Sequence, residues 1–224
     1  SETAKGNTVK DLKEFFHVYP WGQYPTEVSD AALRYAAIAK DIAATLLQWV
    51  EDHTPDEVRQ TFSMPLPRMM DGSTRSLLRV LRYPPLTGHE APDAVRAAAH
   101  EDINLLTLLV ESTTGGLELQ TRDGAWLSVH SLSGQIVLDA GDMLQRATNG
   151  VIPATTHRVV NPPPPFSEVP RYSIPFFLHP NSEFLIKSLD GCVTADNPEH
   201  YPEPITANDY LTQRLIEIGL LPGK

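Results

Sequence analysis

Three residues in this chain have side chains suited to holding a redox metal: His100, Asp102 and His157. Two imidazoles and one carboxylate are the donor set of the facial triad, which binds non-haem Fe(II) and leaves the other coordination positions open. Arg171 comes fourteen residues after His157, and Ser173 two residues later. A guanidinium and a hydroxyl suit a carboxylate ligand, because the planar cation can donate two parallel hydrogen bonds to it. Taken singly, His100 reads as a turn residue, His157 as a satisfied core histidine and Arg171 as a strand-edge cation. A His-x-Asp pair alone is a weak motif in a chain with eight histidines and 28 acidic residues. The five together point to oxygen chemistry at iron.

Strands must bring these residues together. Side chains at i and i+2 of a strand share a face. His100 and Asp102, at or just before the start of a strand over Asp102–Glu111, are expected to enter one cavity, with Glu101 turned away. Asn104 shares that face, where supporting the site and simple packing are equally open to it. Arg171 and Ser173 follow the same rule on a strand over Arg171–Leu178. Further short strands are expected at Thr74–Tyr83, Leu117–Thr121, Ala125–Ser128, Gln135–Leu138, Asp142–Arg146 and Thr155–Asn161. An Asp123-Gly124 turn signal separates the second of these from the third, and Pro162–Pro165 must form an extended loop. So many short strands at close spacing indicate a sandwich or jelly roll.

Helices flank this core. Ala31, Tyr35, Ile38, Ile42, Leu46 and Trp49 recur at helical spacing and predict a helix over residues 29–53, with Ser29 as N-cap. A short helix over Asp56–Phe62 follows, capped by Thr54 with Pro55 at its first position. Residues 1–27 read as irregular, with an aromatic cluster between Phe15 and Tyr24 that suits core or lid packing. Near the end, Thr206 caps a helix carrying Leu211, Leu215 and Ile218, which Gly219 stops. Ser128, His130 and Ser131 lack a nucleophile-elbow pattern and read as surface loop. His179, before Pro180, reads as structural.

The chain has 224 residues and a formal charge of −10. A broadly acidic surface argues against nucleic acid or an anionic membrane as the main partner. One cysteine, Cys192, excludes an intramolecular disulfide, and no apolar run is long enough to span a bilayer. Cytoplasmic location and a monomer are the default expectations. The chain opens on Ser rather than Met, so a preceding segment is expected to be absent or missing.

Longer segments carry a family resemblance. They are Asp11-Leu12-Lys13-Glu14-Phe15-Phe16-His17, Leu81-Arg82-Tyr83-Pro84, His100-Glu101-Asp102-Ile103-Asn104-Leu105, Ala154-Thr155-Thr156-His157-Arg158-Val159, Arg171-Tyr172-Ser173-Ile174-Pro175-Phe176-Phe177 and Pro204–Leu211. In them the chain resembles the Fe(II)- and 2-oxoglutarate-dependent dioxygenases, within the isopenicillin N synthase-like branch. The resemblance implies a mainly β fold with flanking helices and a double-stranded β-helix (jelly-roll) core. It implies one domain over residues 1–224, with a mostly helical front (1–73), the core (74–182) and a tail with a helix (183–224). By the same resemblance His100, Asp102 and His157 bind Fe(II). Arg171 and Ser173, helped by the Tyr83 hydroxyl, hold the distal carboxylate of 2-oxoglutarate. Thr107, Leu109, Val159 and Phe177 line the substrate pocket. The implied reaction uses O2 and 2-oxoglutarate to hydroxylate a small organic molecule through a ferryl intermediate. Two alternatives stay open: an oxidase that uses O2 without 2-oxoglutarate, and a non-catalytic metal-binding jelly roll. Against the family pattern the chain is expected to start after the usual N-terminal helices and strands, either because that segment is absent or because the molecule is a fragment. It also departs in the longer interval between His157 and Arg171, whose proline run is expected at the cavity mouth or rim.

Overall fold

The computed structural model describes residues 9–130 and 133–222, so Ser131 lies outside the described residues. Among them the chain order is β1 (Glu14–Val18), α1 (Ala31–Asp52), α2 (Asp56–Arg59), β2 (Leu77–Tyr83), β3 (Ala97–His100), β4 (Leu106–Val110), β5 (Leu117–Gln120), β6 (Trp126–Ser128), β7 (Ile136–Ala140), α3 (Asp142–Ala147), β8 (His157–Val159), β9 (Arg171–Ser173), β10 (Pro175–Leu178), β11 (Leu185–Ile186), β12 (Ile205–Thr206) and α4 (Ala207–Glu217). One sheet runs β1-β2-β10-β4-β7, with β9 also paired to β2. A second runs β3-β8-β5-β6, and β11 pairs with β12. All these pairs are antiparallel. The fold is a mainly β jelly roll with flanking helices; its sheets keep open edges and do not close into a barrel.

Strand alternation divides the large sheet into two faces. Leu78 on β2, Leu106 and Leu108 on β4, and Phe176 and Leu178 on β10 are buried in the main hydrophobic core. The odd-numbered residues between them, Leu77, Arg79, Leu81, Thr107, Leu109, Pro175 and Phe177, line a cavity on the opposite face. β7 extends that inner face with Val137 and Asp139. Helix α1 packs against β2, β4 and β10. It turns Ala39, Ala43 and Leu47 inward, while Ile38 and Trp49 are 57% and 58% exposed. The expected stripe is therefore rotated. Rows of alanine let the helix axis approach the sheet closely, and the bulkier side chains are displaced outward.

Other expectations need correction. Residues 14–18, read as irregular, form edge strand β1 on β2, in a register that pairs His17 with Arg79. β3 was not anticipated; its Ala-Ala-Ala run has weak strand propensity. The strand expected from Asp102 begins at Leu106. Asp142–Arg146 lies in helix α3, not in a strand. The N-cap of α1 is Asp30 rather than Ser29, and α2 is capped by Pro55 and ends at Arg59. The strand over Arg171–Leu178 is interrupted at Ile174. Thr206 does cap α4, accepting from the Asp209 N–H at 3.1 Å, and Gly219 adopts φ +75° beyond its end.

His179 directly follows β10 and is buried, with no hydrogen-bond partner for Nδ1 among the described residues. Its backbone N–H donates to Ser76 Oγ at 3.0 Å. Burial pushes its pKa down from 6.5 to about 4. A depressed imidazole stabilises the fold above pH 6.5, and that contribution is lost as pH falls towards 4, because the unfolded state takes the proton first. Across that window the shift corresponds to about 3 kcal/mol. Urea unfolding of the metal-free protein at pH 7 and pH 4.5 should show a smaller pH-dependent loss in His179→Gln than in the unsubstituted protein. An unchanged loss would rule out this source of acid sensitivity.

Candidate metal centre

β3 ends at His100, and the chain leaves the sheet before Asp102. The loop is held by the start of α3. Asp142 N donates to the Asp102 carbonyl at 2.9 Å, Met143 N to the Asn104 carbonyl at 3.1 Å and Gly141 N to the Leu105 carbonyl at 3.0 Å. The first N–H groups of a helix have no partner within it, and here the loop carbonyls supply one. His100 and Asp102 therefore meet through a strand end and a pinned loop, not through i and i+2 positions of one strand.

His157 opens β8 and is the cross-strand partner of His100. Their ring centroids lie 4.4 Å apart. His100 Nδ1 is 2.7 Å from the Ala98 carbonyl, and His157 Nδ1 is 3.1 Å from the Thr155 carbonyl. A carbonyl only accepts, so Nδ1 donates in each ring and Nε2 keeps its lone pair. Those Nε2 atoms lie 4.0 and 3.9 Å from Asp102 Oδ1. One donor atom from each residue falls within 4.8 Å of the other two. Thr107 Oγ1 donates to the second carboxylate oxygen of Asp102 at 2.5 Å and accepts from Asn104 Nδ2 at 2.8 Å. Asn104 thus supports the site through Thr107. Glu101 stands outside the trio and accepts from Thr156 Oγ1 at 3.1 Å.

Burial lowers the His100 pKa to about 4, and neighbouring His157 pushes it the same way. Burial also pulls on His157, but Asp102 and Asp139 outweigh it and hold that imidazole above its ordinary value. Asp139, on β7, was not singled out in the sequence. Its Oδ2 lies 3.4 Å from His157 Nδ1, and burial raises its pKa to about 6. The one available signal was its inward parity with Val137, which a strand ended at Leu138 conceals. Asp11 and Lys13 were likewise unforeseen. They form a buried ion pair at 2.9 Å on the cavity wall.

Arg171 and Ser173 are buried and both line the cavity. Arg171 Nε donates to the Thr114 and Gly115 carbonyls, and Nη2 donates to Ser112 Oγ at 2.9 Å. Nη1 is buried without a hydrogen-bond partner among the described residues. A buried cationic N–H left open is costly and suits an incoming anion. The guanidinium lies 5.0 Å from the ring centroid of Tyr83, itself a lining residue. Thr107, Leu109, Val159 and Phe177 all line the same cavity, whose volume is about 600 Å³. The proline-rich loop is not at its rim: no lining residue comes from positions 160–170. That loop packs elsewhere, with the Phe166 and Val169 carbonyls accepting from buried Arg96.

Two imidazole nitrogens, one carboxylate oxygen and an open cavity side fit the donor set and vacant positions that Fe(II) requires. The sequence profile of the 2OG-Fe(II) oxygenase superfamily matches residues 75–180. A 2-oxoglutarate-Fe(II) type oxidoreductase of Aspergillus fumigatus is 32% identical over 183 residues, covering 80% of this chain and 50% of that protein. The crystal structure of a presumed oxygenase from Shewanella oneidensis is 43% identical with a TM-score of 0.78, covering 98% of this chain and 76% of that one. A full-length Neurospora crassa protein, crystallised in complex with alpha-KG, is 27% identical with a TM-score of 0.75, covering 92% of this chain and 66% of that one. The chain spans about half the length of the curated relatives it matches.

Gly141 is the tightest contact in the clamp on the Asp102 loop. A Cβ there would lie 2.1 Å from Asn104 Oδ1 and 2.2 Å from the Asn104 carbonyl oxygen. Gly141→Ala should therefore destabilise the protein by about 2–3 kcal/mol and weaken metal binding as the loop shifts. Urea unfolding and metal titration check both; wild-type values for both would refute the clamp.

Proposed function

The chain belongs to the 2OG-Fe(II) oxygenase superfamily, and on that footing we propose that it is an Fe(II)- and 2-oxoglutarate-dependent oxygenase, an oxidoreductase that hydroxylates a small organic molecule with O2. His100, Asp102 and His157 hold the iron. Arg171 and Ser173 hold the distal carboxylate of 2-oxoglutarate, beside Tyr83. When bound, iron and 2-oxoglutarate supply the oxidising power; the protein supplies position, charge and exclusion of water.

The observation that carries this reading is the buried Arg171 with Nη1 open, in the same cavity as the His-Asp-His trio. A dianionic cosubstrate next to Fe(II) and one carboxylate needs a buried cation, and Arg171 provides it. Thr107 and Asn104 fix which Asp102 oxygen faces the imidazoles. The Thr155 carbonyl fixes the His157 tautomer and ring direction, the support that metal-binding imidazoles generally have. Thr107, Leu109, Val159 and Phe177 surround the substrate, and a cavity of about 600 Å³ has the size of a small-molecule site. The chain acts as one domain over residues 1–224: β1 of the front segment extends the core sheet, and α4 of the tail adds Leu211 and Leu215 to the cavity wall.

Anaerobic addition of 2-oxoglutarate to the Fe(II) protein should produce a weak visible charge-transfer band. Its absence would sink the reading and favour an oxidase whose Arg171 holds the substrate's own carboxylate. Arg171→Ala should keep iron but need on the order of 100-fold more 2-oxoglutarate to develop the band; an unchanged affinity would remove Arg171 from the role. His157→Ala should abolish both the band and iron-dependent turnover.

A further inference from the structure

A second buried arginine, Arg96, has no part in the site described so far. It immediately precedes β3 and is 0% exposed, against 2% for Arg171. Its backbone is fixed: Arg96 N donates to Asn161 Oδ1 at 3.0 Å, and Asn161 Nδ2 donates to the Ala94 carbonyl at 2.8 Å. Its Nη2 donates to the Val169 carbonyl, two residues before Arg171, at 3.2 Å and to the Phe166 carbonyl at 3.5 Å. Nε and Nη1 are buried without a hydrogen-bond partner among the described residues. The next residue, Ala97, packs in one buried cluster with Tyr83. Tyr83 is the cross-strand partner of Arg171, and its ring lies against the Arg171 guanidinium. Arg96 is therefore within electrostatic reach of Arg171. Burial lowers the Arg171 pKa, Tyr83 opposes the shift, and the charge of Arg96 lowers it further.

Neither cation has an anionic partner. Among the described residues, neither Arg96 nor Arg171 forms an ion pair with a carboxylate. Both donate to neutral carbonyls, and Arg171 also to the Ser112 hydroxyl. The carboxylates that line the cavity are engaged elsewhere: Asp11 with Lys13, Asp139 with His157, Glu101 with Thr156, and Asp102 with Thr107 and the two imidazoles. Like charges buried near each other are destabilising, and an incoming anion offsets that cost. Arg171 lines the cavity and Arg96 does not. An anion held there touches the first and feels the field of the second, which the interior screens weakly.

Resting on the oxygenase reading, we propose that Arg96 is a positioning residue for 2-oxoglutarate. Its buried positive charge, outside the cavity wall and beyond contact with the ligand, strengthens the hold of Arg171 on the distal carboxylate and so favours a dianion over a monoanion.

The test is anaerobic titration of the Fe(II) protein, followed by the charge-transfer band. One probe is 2-oxoglutarate; the other is 2-oxopentanoate, the same five-carbon keto acid with a methyl group in place of the distal carboxylate. The ratio of the two dissociation constants gives the preference for the dianion, and Fe(II) affinity is measured alongside. R96M and R96Q should each reduce that preference about tenfold, by weakening 2-oxoglutarate, with Fe(II) affinity unchanged. Both variants remove the charge, but only glutamine can still donate to the Val169 carbonyl. A loss in R96M that is absent in R96Q therefore overturns the proposal and leaves Arg96 an anchor for the loop. Equal weakening of both keto acids, or an unchanged preference, overturns it as well. R171M leaves Arg96 in place and decides the matter if neither variant folds. There the dianion should still be preferred about threefold, and equal binding of the two acids overturns the proposal. If the unsubstituted protein binds no 2-oxoglutarate, the oxygenase reading falls and the proposal with it. A preference in the unsubstituted protein that both Arg96 variants keep overturns the proposal alone.

Discussion

The backbone of residues 102–105 is clamped by the first turn of α3, and the rest of the site takes its position from that clamp. Three N–H groups that a helix cannot use internally bind three carbonyls of a loop that has no sheet of its own. This leaves the Asp102 side chain directed by Thr107, from the next strand, towards two imidazoles on the opposite sheet. The contact is so close that only a residue without a Cβ fits at position 141. A flexible carboxylate is thereby converted into a fixed one without any covalent constraint.

Much of this was legible in the sequence, for reasons that can be separated. The residue types of the trio, and the Arg171–Ser173 pair, could be singled out before any geometry existed, and the structure brings all five to one cavity. The α4 region was readable because its cap, stripe and stop are all local. Other features depended on contacts between distant segments. Asp142–Arg146 reads as a strand until its N-terminal amides are seen to bind residues 102–105. β1 reads as irregular because Phe15 and Phe16 are adjacent, which breaks the alternation a half-buried strand would show, and only pairing with β2 makes sense of it. The rotation of α1 followed the same logic: hydrophobicity picked the large side chains, whereas close packing selected the alanines. The i and i+2 argument for His100 and Asp102 reached the right pair by the wrong geometry.

Charge is distributed unevenly between surface and interior. The excess of acidic residues describes the molecule as a whole, yet Lys13, Arg75, Arg79, Arg171 and Arg214 all face one cavity. Lys13 pairs with Asp11, and Arg214 with Asp142 and Glu217. Burial raises the Asp142 pKa to about 7 even with Arg214 beside it. Asp11, Glu101, Asp102 and Asp139 line the same cavity, so net charge says little about what the cavity prefers to bind; the local placement of each charge decides it, because charges act most strongly at short range.

Helix α4 is fastened at its start, where the Ala207 and Asn208 N–H groups donate to the Phe184 and Ser182 carbonyls, and through side chains that reach α3. Thr206 caps its start, and Tyr210 and Arg214 reach Asp142, the first residue of α3. Leu211 and Leu215 on the same helix form part of the cavity wall. The side chains that could hold a metal come from β3, β8 and the loop that α3 clamps, so the cavity wall and the donor trio belong to different stretches of polypeptide. The wall can diversify by substitutions on a single helical face while Tyr210 and Arg214 preserve the docking. In evolutionary terms, such a chain can change the shape of its cavity without rebuilding the His-Asp-His trio.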